Sequence, residues 1–195
     1  MNQSKVHQTL LRVVAIATMT AIVFLGNYLR IKMPVPVGGV TSFTLANIFC
    51  ALSGILLGPL GGFLAAGLGS AFYDLTDFAY VKEAPITLFT KGMYGLIAGL
   101  VLYYLLRSVK EKYGAQFAAT ACAAVSYMVV YLTKVYFYNG MIEGGFTQPA
   151  QCWAGVISRL PATITNGLIA MVCAPILGVA LMKALRSAHL EKMLA

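Results

Sequence analysis

Residues 43–78 read FTLANIFCALSGILLGPLGGFLAAGLGSAFYDLTDF, and this stretch decides the fold class of the chain. Two apolar runs, residues 43–57 and 61–78, flank a break at Gly58-Pro59-Leu60-Gly61-Gly62. Proline with clustered glycines marks a tight turn, and a membrane span takes roughly 20 mostly apolar residues. We therefore predict two consecutive membrane-spanning helices here, of which the first is short.

The whole chain has the composition of a membrane protein. Its 195 residues are 59% hydrophobic and 10% charged, whereas about 25% of the residues in a soluble domain are charged. The net charge of +8 does not predict a nucleic-acid partner, because the basic residues flank apolar runs, where lipid headgroups attract them. The four cysteines are scattered, without the spacing of a zinc or redox motif. We expect neither a metal site nor a cofactor.

The hydrophobic pattern predicts an all-α bundle of six transmembrane helices in a single integral membrane domain, residues 1–195. The Pro/Gly-rich segment 33–39 cannot be helical, and residues 149–158 are predicted to form a short interfacial helix. A signal peptide is the alternative for the first span, but Arg30 and Lys32 follow it without a clear small-residue cleavage site. The predicted spans are about 10–29, 43–57, 61–78, 86–106, 115–138 and 160–185.

The distribution of lysine and arginine predicts that both termini are cytoplasmic. With the N-terminus inside, eight basic residues fall on the cytoplasmic side and four outside, while Lys91 and Lys134 lie within spans. The cytoplasmic set is Lys5, Arg12, Arg107, Lys110, Lys112, Lys183, Arg186 and Lys192, and the outer set is Arg30, Lys32, Lys82 and Arg159.

Polar side chains recur at helical spacing inside the predicted spans. Ionisable groups at membrane depth cost at least about 2.5–3.5 kcal/mol on insertion scales, so they normally face protein or a wet cavity. Most of them here lie toward the predicted outer face, and we therefore predict a pocket there for a polar, partly aromatic small molecule. The candidate binding residues are Asn47, Tyr73, Asp74, Asp77, Lys91, Tyr94, Tyr131, Lys134, Tyr138, Arg159 and Asn166.

Structural roles are the alternative for several polar residues. Asp74 and Lys91 could form a structural ion pair with each other. Lys134 lies near a helix end, from which its side chain could reach the lipid headgroups. Tyrosines at span ends are commonly interfacial anchors. That is our interpretation of Tyr80, Tyr103 and Tyr104.

Two small residues four positions apart, Ala17 and Ala21, lie in the first span. This spacing lets two helix backbones approach closely in lipid, so it predicts either packing within the bundle or a docking face for another membrane subunit. The chain contains no phosphate-binding loop, metalloprotease motif or nucleophile elbow, and we assign no catalytic residue. A binding pocket without an energy source of its own implies a partner that supplies the energy.

Three features of the sequence together resemble a known family. They are Ala17-x-x-x-Ala21, the run from Phe43 through Leu56-Leu57-Gly58-Pro59-Leu60-Gly61-Gly62 to Leu75, and Ala84-Pro85-Ile86-Thr87 with Lys91-Gly92. With these features, which cover most of the chain, it resembles the substrate-binding S component of energy-coupling-factor (ECF) transporters, a branch of the ABC transporters.

This resemblance implies a six-helix protein of the bacterial plasma membrane that captures a vitamin-like small molecule from outside. It implies a transmembrane coupling subunit that docks on Ala17 and Ala21, two cytoplasmic ATPases, toppling of the S component in the membrane, and a lid formed by residues 33–39. Substrates in the family include riboflavin, thiamine or its pyrimidine precursor, pantothenate, folate, cobalamin and queuosine precursors, and the sequence selects none of them. The histidine-headed N-terminus of nickel and cobalt members is absent, which argues against a metal substrate.

Two other classes of function are open at this point. A membrane-embedded enzyme with Asp74 or Asp77 as a base needs a nucleophile or metal cluster, which the scattered cysteines and the two histidines in the tails do not provide. A stand-alone carrier or channel would use Asp74, Lys91 and Lys134 as an ion path. Transport by this protein alone would distinguish such a carrier from a capture subunit.

The predicted orientation is testable with single cysteines at Gly39 and Gly114, in a background whose native cysteines are replaced by alanine. We expect a membrane-impermeant maleimide applied to intact cells to label Gly39→Cys and not Gly114→Cys, because the basic residues put position 114 inside. Permeabilised cells, in which both positions react, are the control. Labelling of Gly114→Cys alone on intact cells would contradict the orientation.

Overall fold

The computed structural model describes residues 3–36 and 40–188 as a helical bundle with one β-hairpin. Val37, Gly38 and Gly39, which belong to the lid that the resemblance implies for residues 33–39, and the tail with His189 and Lys192 lie outside the described residues. The helices are α1 (Gln3–Tyr28), α2 (Ala46–Thr76), α3 (Ala84–Leu100), α4 (Tyr113–Lys134) and α5 (Pro149–Ser187), and the strands are β1 (Arg30–Pro34) and β2 (Val40–Thr44). Short 3₁₀ or π-helical segments occur at Val81–Glu83, Val101–Leu105, Arg107–Val109 and Val135–Glu143.

Five helices in the described part of the chain are long and apolar enough to cross a membrane, where the sequence predicts six spans. The difference lies in α2, which contains both the second and the third predicted span. Gly58 adopts φ 72° and ψ −172°, a conformation that glycine reaches without steric cost, and Pro59 lacks the N–H of a helical hydrogen bond. The chain therefore bends sharply within α2.

The bend brings the two halves of α2 side by side. The sulfur of Cys50 lies 3.9 Å from the hydroxyl of Ser70, although twenty residues of straight helix would separate them by about 30 Å. The hydroxyl of Ser53 likewise lies 3.3 Å from the carbonyl oxygen of Gly62. These contacts require the second half of α2 to run back along the first.

Glycines allow the halves of α2 and helix α3 to approach backbone to backbone. A Cβ on Gly62 would lie 2.6 Å from Gly54 Cα and 2.8 Å from the carbonyl oxygen of Gly95. Helix α2 is accordingly the centre of the bundle, because 72% of its most apolar part is buried, against 22–50% in the other candidate spans. The other helices expose large apolar side chains, among them Val13, Phe89, Val125 and Leu168.

The β-hairpin corrects the all-α prediction. Strands β1 and β2 pair antiparallel, with Arg30 opposite Thr44 and Pro34 opposite Val40. The sequence of β2, VTSFT, is rich in β-branched residues, which suit strands, but five residues do not stand out beside long apolar spans. The hairpin lies where α1 ends and α2 begins, and we call this end of the bundle the hairpin end.

Helix α5 is longer than the predicted sixth span. It begins at Pro149, where a proline in the first turn is favourable, and it continues through Pro161 and Pro175 to Ser187. The predicted interfacial helix 149–158 is therefore the first part of the same helix. The 39 residues of α5 extend over about 58 Å at 1.5 Å per residue.

The close packing of α2 and α3 predicts a specific sensitivity at Gly62. We expect Gly62→Ala to lower the free energy of unfolding by about 1–3 kcal/mol, because the new methyl group meets backbone atoms that cannot rotate away. Gly114→Ala is the control, because a Cβ at Gly114 meets nothing within 4 Å. Thermal unfolding of the detergent-solubilised protein measures both. Equal stability of the two variants would contradict the backbone contact.

Candidate functional site

A polar cavity lies at the hairpin end of the bundle. The hairpin, both ends of α2, the start of α3, the end of α4 and the middle of α5 all contribute to it. Its free volume is about 70 Å³, whereas small-molecule sites commonly have about 300–1,000 Å³, so lining side chains have to move apart to admit a ligand. The lining residues are Asn27, Arg30, Thr41, Ser42, Thr44, Asn47, Asp74, Tyr80, Glu83, Thr87, Thr90, Lys91, Tyr127, Tyr131, Lys134, Thr163 and Asn166.

Lys91 lines this cavity from the first half of α3. Its ammonium group donates a hydrogen bond to Oδ1 of Asn47, in the first turn of α2, and lies 4.6 Å from the centre of the Tyr127 ring. Lys91 is only 8% exposed. Its ammonium group therefore lies away from bulk water, and the two groups that it contacts are neutral. Among the residues that the structure describes, no carboxylate forms an ion pair with it.

Asp74 lines the same cavity near the end of α2, and it is almost fully buried. The structural ion pair with Lys91 that the sequence allows is not formed between these two described residues. The cavity therefore contains a buried carboxylate and a buried ammonium group that do not neutralise each other directly.

The guanidinium of Arg30 reaches the cavity from the first residue of β1. Its Nε donates to the carbonyl oxygen of Asn27 at 2.8 Å, and its Nη2 donates to Oδ1 of the same asparagine. The charge lies 4.0 Å from the centre of the Tyr73 ring and 5.1 Å from that of Tyr80. Stacking of a guanidinium on aromatic faces is favourable, so Tyr73 supports Arg30 from outside the cavity.

Lys134 ends α4 and forms an ion pair with Glu83, which precedes α3. The two side chains are 8% and 11% exposed, so Lys134 does not extend to the headgroups. Asn139, on the π-helical segment that continues α4, donates hydrogen bonds to Glu83 and, at 3.0 Å, to Glu143. This network joins α4 to the start of α3 at the edge of the cavity.

Asn166, in the middle of α5, binds the backbone of the hairpin. Its Nδ2 donates to the carbonyl oxygen of Ser42 at 2.9 Å, and its Oδ1 accepts from the N–H of Thr44 at 3.0 Å. At an antiparallel strand edge, the backbone groups of alternate residues point away from the paired strand. The side-chain amide of Asn166 therefore occupies the free edge of β2 as a third strand would, and it fixes the hairpin over the cavity.

Asp77 lies outside the cavity and also anchors the hairpin. Its carboxylate is 2.5 Å from Nζ of Lys32 on β1 and accepts hydrogen bonds from the Tyr73 hydroxyl at 3.0 Å and the Ala79 N–H at 3.2 Å. Burial raises the pKa of this carboxyl, but the hydrogen bonds from Lys32, Ala79 and Tyr73 outweigh it, and the pKa is lowered. Asp77 therefore stays charged at neutral pH and keeps its link to the hairpin.

Comparison with known proteins assigns the chain to a family. The family model described as "ECF-type riboflavin transporter, S component" matches residues 7–184. This chain belongs to that family. A UPF0397 protein of Streptococcus gordonii is 30% identical to it over an alignment of 158 positions that covers 77% of each chain. The family is a substrate-binding component of a transporter, so this S component is a multi-pass membrane protein and not an enzyme.

The structure brings six of the eleven predicted binding residues of this S component together in the cavity. They come from four helices that the sequence alone does not place next to each other. These residues are Asn47, Asp74, Lys91, Tyr131, Lys134 and Asn166.

The other five predicted residues lie behind or beside the cavity. Tyr73 and Asp77 support the hairpin, as described above. The Tyr94 ring is fully buried with its centre 5.3 Å from that of Tyr127. The hydroxyl of Tyr138 donates to the carbonyl oxygen of Lys82 at 3.2 Å, and Arg159 donates to the carbonyl oxygen of Gly155 at 3.2 Å.

Several lining residues are absent from the sequence prediction because they lie outside the predicted spans or at their ends. Charged and aromatic residues in such positions have the pattern of interfacial anchors, and hydroxyl residues of a hairpin carry no helical periodicity. Glu83 had one usable signal, since it is the acidic residue directly before the Ala84-Pro85 helix start. The missed residues are Asn27, Arg30, Thr41, Ser42, Thr44, Tyr80, Glu83, Thr87, Thr90, Thr163 and, inside the fifth predicted span, Tyr127.

The two predicted docking residues, Ala17 and Ala21, are exposed on α1. Ala15 and Met19 on the same helix are buried, so one face of α1 packs on the bundle and the face with Ala17 and Ala21 points outward. Small residues therefore serve packing within the bundle at the glycines of α2, such as Gly62, whereas Ala17 and Ala21 do not pack inside it.

The contact of Asn166 with the hairpin predicts an effect of its removal on hairpin mobility. Asn166→Leu leaves the Ser42 carbonyl and the Thr44 N–H without partners, a loss of about 1–3 kcal/mol, so we expect amide hydrogen exchange to become faster by about tenfold or more. Mass spectrometry of the peptide covering 40–46 measures the change. Thr165→Val, at an exposed neighbouring position, is the control. Unchanged exchange in Asn166→Leu would show that other contacts hold the hairpin.

Proposed function

We propose that this chain is the substrate-capture subunit of an ECF-type importer in the bacterial plasma membrane, with a vitamin-like small molecule as its substrate. The observation that carries the proposal is the cavity, which collects Arg30, Asp74, Glu83, Lys91 and Lys134 in an otherwise apolar bundle. Ionisable groups at membrane depth are costly, and their convergence marks a functional site. Membership of the S-component family supports the same role.

The proposal includes six membrane crossings, with both termini in the cytoplasm. The reversal of α2 at Gly58 supports two crossings within this one element, because its halves lie side by side. An even number of crossings puts both termini on one side, and the positive-inside rule assigns that side to the cytoplasm. The hairpin end and its cavity then face outward, toward the solute.

A transmembrane coupling subunit and two cytoplasmic ATPases are the proposed partners. The sequence has no phosphate-binding loop of its own, so the energy has to come from elsewhere. The exposed small residues Ala17 and Ala21 leave room on α1 for a partner helix to approach closely.

The distribution of buried charge favours capture over conduction. In the described part of the chain, Asp74, Glu83, Lys91 and Arg159 are buried and the side chain of Lys134 is only 8% exposed. All of these except Arg159 line the cavity at the hairpin end. Toward the other end, the bundle is filled by side chains such as Ile55, Leu102 and Met182. Such a core offers no charged path across the membrane, which a stand-alone ion-coupled carrier needs.

Separating capture from coupling tests the proposal. In the double variant Ala17→Trp/Ala21→Trp, the indole rings should push a partner helix away and leave the cavity intact. Uptake is measured by mass spectrometry in cells that contain the ATPase partners and are given a mixture of B vitamins. We expect uptake to fall by about tenfold or more, while the affinity of the purified protein for the same vitamin changes by less than about twofold. The coupling subunit should no longer co-purify.

The matched control is Val125→Trp/Val129→Trp, which has the same spacing on α4 at positions 55% and 59% exposed. This variant should transport normally. Normal transport by the Ala17/Ala21 variant would rule out the docking face. Uptake into vesicles that contain only this protein would make it a stand-alone carrier.

A further inference from the structure

Arg30 and Lys91 differ in their surroundings from Lys32 and Lys134, two other cations at the hairpin end. Lys32 and Lys134 each pair with a carboxylate, Asp77 and Glu83 respectively. In contrast, the described surroundings of Arg30 and Lys91 supply neutral oxygens and aromatic faces, without an ion pair. Both of these cations line the cavity.

A buried cation that forms no ion pair is costly, because it loses its hydration without gaining a direct contact to an opposite charge. The Asn47 carbonyl and the Tyr127 ring offset part of that cost for Lys91. They also leave it bonding capacity, because an ammonium group has three N–H donors and Asn47 takes one of them. An anion in the cavity would supply both the missing charge and the missing acceptors.

Asp74 makes the cavity electrostatically asymmetric. With Glu83 and Lys134 paired, the remaining charges of the cavity are Arg30, Lys91 and Asp74, which leave a net charge of +1 when all are ionised. When it is ionised, the buried carboxylate of Asp74 has hydrogen-bond acceptors and no donor. The cavity thus offers a site for an anion together with an acceptor for an N–H or O–H group.

We propose that the captured solute carries an anionic group, a carboxylate or a phosphate, which binds Arg30 and Lys91, together with an N–H or O–H donor that bonds to Asp74. This inference rests on the proposed capture function and deepens it by naming the chemical class of the substrate. A neutral solute would leave the net charge of +1 in the cavity uncompensated.

Matched pairs of anionic and uncharged compounds test the inference. The protein in phosphatidylcholine nanodiscs is titrated calorimetrically with four pairs: flavin mononucleotide and riboflavin, nicotinate and nicotinamide, pyridoxal phosphate and pyridoxal, and orotate and uracil. We expect at least one anion to bind more tightly than its uncharged partner by about tenfold or more. Phosphatidylcholine has no net charge, so anionic lipid headgroups do not compete with the soluble anion for the cations of the cavity.

Variants at position 91 assign the preference to the cavity. Lys91→Met should lower the preference for the anion by about tenfold, whereas Lys91→Arg, which keeps the charge, should retain most of it. Arg30→Gln is the second variant and keeps the test valid if Lys91→Met fails to fold. Lys110→Met is the control, because Lys110 contacts Tyr103 and does not line the cavity.

Four results would overturn the inference. The first three are binding of the uncharged member at least as tightly as the anion in all four pairs, binding of no anion in the panel, and an unchanged anion preference in both Lys91→Met and Arg30→Gln. Suppression of anion binding by phosphatidylglycerol in the nanodisc would assign the cations to lipid headgroups and would likewise overturn it. The proposed capture function is judged separately, because partner-dependent uptake of an uncharged vitamin would support it and refute only the anionic class.

Discussion

The reversal of α2 at Gly58 is the constraint on which the cavity depends. Asn47 and Asp74 lie 27 positions apart on one helical element, and a straight helix would separate them by about 40 Å. The bend instead puts both residues on the wall of one cavity. Gly54, Gly62 and Gly95 permit this arrangement, because they let three helical segments touch through their backbones. A packing feature of the apolar core therefore places polar groups at the surface end of the bundle.

Much of this arrangement follows from the sequence because backbone polar groups in a bilayer have no water to bond to. A helix satisfies their hydrogen bonds within one segment, so apolar length and the Gly58-Pro59 break predict where helices lie. The free-energy cost of burying charge in lipid explains why Lys91 and Asp74 face a polar cavity. Helical periodicity places each of them on a polar face of its helix.

The remainder depends on contacts between distant segments, which periodicity does not report. The hairpin is short, and its position over the cavity depends on Asn166, more than 120 residues away in the chain. Two lysines that both lie within predicted spans also have different partners, since Lys134 pairs with Glu83 whereas Lys91 contacts Asn47 and Tyr127. Partner identity is a property of the folded bundle, and it decides which cation is available to a ligand.

The length of α5 makes the surrounding lipid part of the site. This helix extends over about 58 Å, while the hydrocarbon core of a typical bilayer is about 30 Å thick, so α5 has to tilt, bend at its prolines or project into the headgroups. Asn166 lies near its middle and holds the hairpin strand. A change in bilayer thickness that alters the tilt of α5 thus acts directly on the cover of the cavity. Affinities measured in thin detergent micelles and in thick bilayers are therefore expected to differ for the same sequence.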